Sequence, residues 1–388
     1  MTVKQRVGCG AMFKPACSRR ALRVTTAVFL SVTALSALGV PALASGAAAE
    51  AAPDLTPVPT VPRLAYVTET TTSASNVWLA SADGGERKLL GVGTQPLLSP
   101  DGQSVAVSLF GATPGPEEHG PSIGVYSASG APLAGYFDLE TATATPLAWS
   151  PDSRYVLVYR QSTEPVLIAQ GSGLDVLDTQ TGAITSIAEG IIYGASFARD
   201  GSDRIVFALS HSLSPSAPVN LYVSEVDGAG VHRITSDGRS LYPVWGPSDI
   251  AYDHERMRKL SPEYQIWLES PSGGAPVRRV THIPVDPLSQ GLVPLAFSAN
   301  GNRLLAEFEG EDNSEAYAVN VVSGHTRAVT VHGQAVQGAG ISADGSTLLV
   351  EQGAFEQPSS HGRIVAVPFT GGRPKVLIAH ASQASWNR

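Results

Sequence analysis

The sequence predicts an all-β fold of repeated four-stranded sheets, on three observations: abundant turn formers, few charges, and one pattern that recurs about every 48 residues. The 388 residues include 39 Gly and 28 Pro, and only 15% are charged. Average chains are about a quarter charged and roughly 12% Gly plus Pro. Long amphipathic helices find little room between so many breakers, and short strands joined by tight turns are favoured.

Residues 1–44 carry Lys4, Arg6, Lys14, Arg19, Arg20 and Arg23 with no acid, then the apolar run Val24 to Val40, then Pro41-Ala42-Leu43-Ala44. A basic start, an apolar core and small residues at its end make a secretory signal. The run contains Thr and Ser and falls short of the ~20 residues a spanning helix needs. Ser18-Arg19-Arg20-Ala21-Leu22-Arg23 resembles the twin-arginine export motif, and Met12 is an alternative start. Both cysteines, Cys9 and Cys17, precede the apolar run, so cleavage after Ala44 leaves no thiol chemistry and no disulfide. Cleavage also removes six basic residues, which takes the net charge from −8 to −14. Such a surface repels nucleic acid and anionic membranes, so neither is expected as a partner, and no membrane insertion is expected after cleavage. Residues 45–62, rich in Ala and Pro, read as a semi-extended linker, and the remaining domain spans 63–388.

Six segments of that domain align: Leu98-Ser-Pro-Asp-Gly102, Trp149-Ser-Pro-Asp-Ser153, Phe197-Ala-Arg-Asp-Gly201, Trp245-Gly-Pro-Ser248, Phe297-Ser-Ala-Asn-Gly301 and Ile341-Ser-Ala-Asp-Gly345. Each ends one strand in an aromatic or aliphatic residue, turns where Pro and Gly pre-set the backbone, and feeds a β-rich run. Those runs start near Ser104, Arg154, Arg204, Asp249, Arg303 and Thr347. Third and fourth strands follow, as in Asn220–Ser224 and Val231–Thr235, and four strands per repeat make one propeller blade. The chain ends supply a further blade. Strands near Arg63, Asn76 and Arg87 lack a first strand, which Ala384–Asn387 provides by copying Leu147–Ser150. The expected fold is therefore a seven-bladed β-propeller closed by its own tail, with six or eight blades as alternatives.

These repeats resemble the TolB-type, WD40-like β-propeller family, whose blades carry an aromatic-Ser-Pro-Asp-Gly turn followed by an apolar strand. The resemblance covers 63–388. The fourth copy departs at Gly246-Pro247-Ser248 and the third lacks Pro. Membership implies a scaffold that binds partners rather than one that catalyses a reaction.

Motifs with chemistry are weak. Gly120-Pro121-Ser122-Ile123-Gly124 has the letters of a nucleophile elbow, but a loop precedes it and a strand follows, where the motif needs strand then helix. The nine His are scattered, no His-Glu-x-x-His occurs, and Asp253-His254-Glu255 reads as a solvated loop whose neighbours point apart. The turn Asp residues lack the alternating spacing of a calcium loop and are expected to bond their own turns. No catalytic, cofactor-binding or metal-binding residue is expected, and no cofactor.

In such a blade the loop between the second and third strands lies opposite the Ser-Pro-Asp-Gly turns, so the long insertions share one face. They bring Glu117, Glu118, His119, His211, Asp253, His254, Glu255, Arg256, Glu311, Asp312 and His361, with Tyr159 and Arg160 at a loop base. Long loops on a rigid scaffold are where binding usually resides. The expected function is a secreted, monomeric, non-catalytic binding module at or beyond the cell envelope, taking a protein or small-molecule partner. The alternative is an enzyme or small-ligand sensor at the central channel mouth.

Overall fold

The computed structural model describes residues 61–69, 75–109, 122–136, 142–162, 171–214, 216–258, 261–274, 278–284, 289–310, 314–353 and 362–387. Its regular elements are strands, nearly all in antiparallel four-stranded groups. The first group pairs Ser382–Trp386 with Arg63–Glu69, Ser75–Ser81 and Lys88–Val92 in that order, so both ends of the domain share one sheet. Next come Thr94–Leu98, Ser104–Ser108, Ile123–Ser127 and Pro132–Tyr136. Ala142–Trp149, Tyr155–Ser162, Gly173–Asp178 and Ile184–Glu189 form the third group, and Ile191–Phe197, Arg204–Ser210, Asn220–Glu225 and His232–Arg233 the fourth. Two further groups start at Ser240–Trp245 and Ser289–Phe297 and are joined by a single parallel pairing, Tyr264 with Gly291. Gln337–Ile341, Thr347–Gln352, Arg363–Pro368 and Lys375–Ala379 complete the set.

The core lies between groups rather than within them. Leu98, Val105 and Val107 pack on Ala65, Val67 and Leu79 of the group before, while Ala106 and Val125 pack on Trp149 and Val156 of the group after. The same alternation continues along the chain until Leu349 and Ile364 meet Leu64 and Tyr66. The innermost strands also touch in sequence, and Ser382–Trp386 contacts both Gln337–Ile341 and Thr94–Leu98. A sheet with two apolar faces needs cover on both, and this arrangement gives each group two neighbours.

The expected turns form as local chemistry dictates. Ser99 Oγ donates to Asp101 Oδ1 at 2.5 Å, and the Gln103 amide donates to the same oxygen at 2.9 Å. Ser150 with Asp152, Ser298 with Asn300 and Ser342 with Asp344 repeat the pattern. Gly102 takes φ 73°, which glycine adopts without penalty, and Ser153 takes φ 64° at the same place in the next copy. The fourth copy departs because its turn is shorter. There the Gly246 amide donates to the Asp249 carbonyl, whereas Ser99 reaches as far as Ser104.

Several boundaries differ from expectation. The strand predicted at Val231–Thr235 shrinks to His232–Arg233. Conversely, Ile250–Arg258 and Ser261–Glu269 pair without interruption down to Arg258 opposite Ser261. Asp253, His254, Glu255 and Arg256 therefore stand on a strand, not in the loop their polarity suggested, because ladder hydrogen bonds continue through them.

The tail strand is held at both ends. Glu351 accepts from the Gln383 and Ala384 amides at 2.9 and 2.7 Å, Ser385 Oγ accepts from the Leu98 amide at 3.0 Å, and Asn387 Oδ1 accepts from the Arg63 amide at 2.8 Å. Trp386 packs in the cluster of Leu64 and Tyr66, with its ring against Gly340, though it is half-buried where Trp149 and Trp245 are buried. Deleting 382–388 removes one strand of the shared sheet and a large half-buried aromatic whose truncation costs part of the about 3 to 5 kcal/mol of a fully buried one, against a total of roughly 5 to 15. The truncated protein is expected to aggregate or to melt far below the intact one by circular dichroism. A melting temperature within a degree or two of the parent would contradict the role of this strand.

Candidate functional site

Six innermost strands run toward the aligned repeat turns and the tail strand runs toward Asn387, so every four-stranded group has a turn end and an opposite, loop end. The innermost strands also share a bulge, with register breaks at Thr94/Leu97, Pro146/Ala148, Ile192/Ala195, Leu241/Val244, Pro294/Ala296 and Gly338/Gly340, and at Ala65/Val67 opposite the tail strand. A bulge re-aims the side chains beside it. Tyr193 and Tyr242 lie at two such breaks, with Tyr242 at φ 49°, and their rings meet edge to face at 6.5 Å. Tyr159, on the neighbouring second strand, is half-buried, and burial pushes its phenol up to about 12, so it remains a neutral hydroxyl across physiological pH. Three tyrosines from adjacent groups thus stand toward the loop end.

A buried polar cluster lies beside them. Arg160 donates from Nε to Asp175 Oδ2 at 3.1 Å, from Nη1 to the Gly171 carbonyl at 2.6 Å and from Nη2 to Glu189 Oε1 at 2.9 Å. Tyr136, from the group before, donates its hydroxyl to the same Asp175 oxygen at 2.5 Å. Every nitrogen of Arg160 is engaged, and the residue braces the loop end. Asp175 Oδ1 is buried and accepts no hydrogen bond from the described residues.

The second cluster centres on His254. Its Nδ1 lies 3.1 Å from Asp237 Oδ2, and its ring meets Trp267 edge to face at 5.1 Å. Burial pushes the Asp237 carboxyl up, but the His254 ring, the Arg239 amide and the Ser240 hydroxyl outweigh it and hold the carboxyl at about 2. Asp253, next along the strand, is 1% exposed and faces the opposite side from His254. Nearby, Glu263 pairs with Arg279 at 3.1 Å, and Thr281 donates to Gln265 at 2.9 Å.

Of the sequence-predicted residues, Tyr159 and Arg160 belong to the first region and His254 to the second. His211 is exposed just past the strand Arg204–Ser210, and Glu255 is half-buried opposite Tyr264. Arg256 lies on the strand Ile250–Arg258, with its side chain outside the description. Glu117, Glu118, His119, Glu311, Asp312 and His361 lie outside the described residues. Sequence reasoning missed Asp175, Glu189, Tyr193, Asp237 and Tyr242. Tyr193 had one available signal, since it precedes Gly194, whose φ of 102° marks the bulge. Among the described residues, no three His, Cys, Asp or Glu side chains gather in a way that could hold a metal ion.

No family model matches the sequence, and no curated protein does. Solved structures do match in fold. A prolyl endopeptidase superposes with a TM-score of 0.58 at 15% identity, over 84% of this chain and 49% of that one. The β-propeller domain of the trilobed protease from Pyrococcus furiosus gives 0.57 at 17%, over 83% of this chain and 97% of that one. TolB from Acinetobacter baumannii gives 0.47 at 14%, a likeness too loose to place this chain with TolB. The chain is a β-propeller by fold, and it spans about half the length of the prolyl endopeptidase.

The Asp237 pair carries a pH dependence of definite sign. A carboxyl held near 2 when folded, against about 3.9 when unfolded, contributes stability above pH 4 and loses it as pH falls toward 2. Asp237→Asn should melt below the parent at pH 7, with the gap closing between about pH 4 and pH 2, as followed by thermal denaturation across that range. A gap independent of pH would place the effect elsewhere.

Proposed function

We propose that this chain is an exported, seven-bladed β-propeller of the TolB-type repeat family that binds a protein or ligand at its loop end without catalysis. The blade count rests on the six aligned turn repeats, three of them Ser-x-Asp, plus the sheet shared by the two chain ends, and on the contact circuit of the innermost strands. Export rests on the basic, apolar and small-residue order of 1–44.

One observation carries the choice of face. The chain enters and leaves at the turn end: the Val61 amide donates to the Asp101 carbonyl, and Asn387 Nδ2 donates to the carbonyls of Val61 and Pro100, each at 3.0 Å. The opposite end, with its tyrosines and braced ion pairs, holds no such junction between the described ends. Rigid, aromatic-rich ground of this kind suits partner binding, because tyrosine contributes area at small entropic cost.

The face is tested by a photo-crosslinking residue placed at His211 or, as control, at Gln103 in the turn end. Adducts in the secreting culture are expected from position 211 and not from 103. The reverse pattern, or equal yields, would move the site. For export, the mature protein should begin near Ser45 on N-terminal sequencing of culture fluid, and Arg19→Lys with Arg20→Lys should abolish secretion by the twin-arginine route. An intact Met1 in a membrane fraction would mean that Val24 to Val40 is an anchor.

A further inference from the structure

The turn end carries a cation that no acid among the described residues balances. Two positions beyond the last residue of each innermost strand, the repeats hold Pro100, Pro151, Arg199, Pro247, Ala299 and Ala343. Five of these are small and apolar, and one is arginine. Arg199 Nη1 donates to the Phe297 carbonyl at 3.0 Å. Between their strands lies a third, since Ile191–Phe197 touches Ser240–Trp245, which in turn touches Ser289–Phe297. The side chain thus crosses past an intervening group to the one beyond, a chord that runs along the inner side of the circuit.

Solvent reaches Arg199, yet the surrounding protein is dense enough that desolvation draws its pKa below the ordinary arginine value. Its single bond to a carbonyl uses one of five guanidinium N–H donors. The turn acids are committed elsewhere: Asp101, Asp152 and Asp344 to the serines of their own turns, and Asp200 to Ser202 and Arg204. Among the described residues, none of these carboxylates pairs with Arg199.

We propose that Arg199 is the anchor of a small-ligand site at the turn end, on the inner side of the strand circuit, taking the carboxylate of a ligand whose remaining body is apolar. The planar guanidinium presents parallel donors that match a carboxylate. One cation balances one negative charge, and on an acidic protein a doubly charged phosphate is disfavoured. The Pro and Ala at the equivalent turn positions suit an apolar body. This site lies at the opposite end from the partner face, so each can fail without the other.

The test is calorimetric titration of the whole secreted protein with 4-phenylbutyrate, against the uncharged 4-phenylbutyramide and inorganic phosphate, at low ionic strength. The acid should bind with one-to-one stoichiometry, the amide and phosphate at least about tenfold more weakly, and Arg199→Gln should weaken the acid by at least about tenfold. Arg199→Lys, which keeps the charge and loses the fork, should fall between. Should Arg199→Gln fail to fold, the arginine side-chain nitrogen spectrum of the parent protein decides, with the resonance assigned through Arg199→Lys. That resonance should shift with 4-phenylbutyrate and not with the amide. Equal affinity in parent and Arg199→Gln, equal binding of acid and amide, tighter binding of phosphate, or no binding by the parent overturns the proposal.

Discussion

The pairing of Ser382–Trp386 with Arg63–Glu69 is the constraint on which the other sheets depend. Each group buries one face against the group before and one against the group after, so removing any one contact exposes two apolar faces at once. In the interior of the chain, covalent continuity keeps neighbouring groups together. Where the ends meet, only noncovalent bonds do so, and they are concentrated there: a carboxylate taking two amides at one end of the strand, and an asparagine bonding three separate backbone groups at the other. Bonds of this kind cost little to make and much to leave unmade once buried.

Polar chemistry divides along the strand direction. At the turn end, serine and aspartate close their own turns, so most of their hydrogen-bonding capacity is spent within a few residues of where it arises. At the loop end, partners come from different strands and groups, as when Tyr136 meets Asp175 or Asp237 meets His254. The first arrangement repeats the same local solution; the second differs from sheet to sheet and distinguishes one part of the ring from another.

That division also explains what could be read from the sequence. The turns and the strands after them were legible, to within a residue or two, because a Ser-Pro-Asp-Gly unit acts through its own backbone and recurs at regular spacing. The sharing of one sheet by both ends was legible because Trp386 repeats the pattern at Trp149. The pairing of Ile250–Arg258 with Ser261–Glu269 was not, since Asp253, His254 and Glu255 look like loop residues until cross-strand bonds are counted. Nor could Asp237 be foreseen as a partner of His254, or Glu351 as the clamp on the tail, because each pair is separated by many residues and joined only by packing. Arg199 was visible merely as a missing proline, and its reach to Phe297 belongs to the assembled ring.

The contact between Asn387 and Val61 has a consequence for how the chain could be rearranged. With the last described residue bonded directly to the first at 3.0 Å, the cyclic order of the sheets is nearly indifferent to where the polypeptide is cut. A short bridge across that junction, with new termini opened between the second and third strands of another sheet, would turn the split sheet into an ordinary one and make that other sheet carry the seam. The position of the break is then a matter of ancestry more than of mechanics.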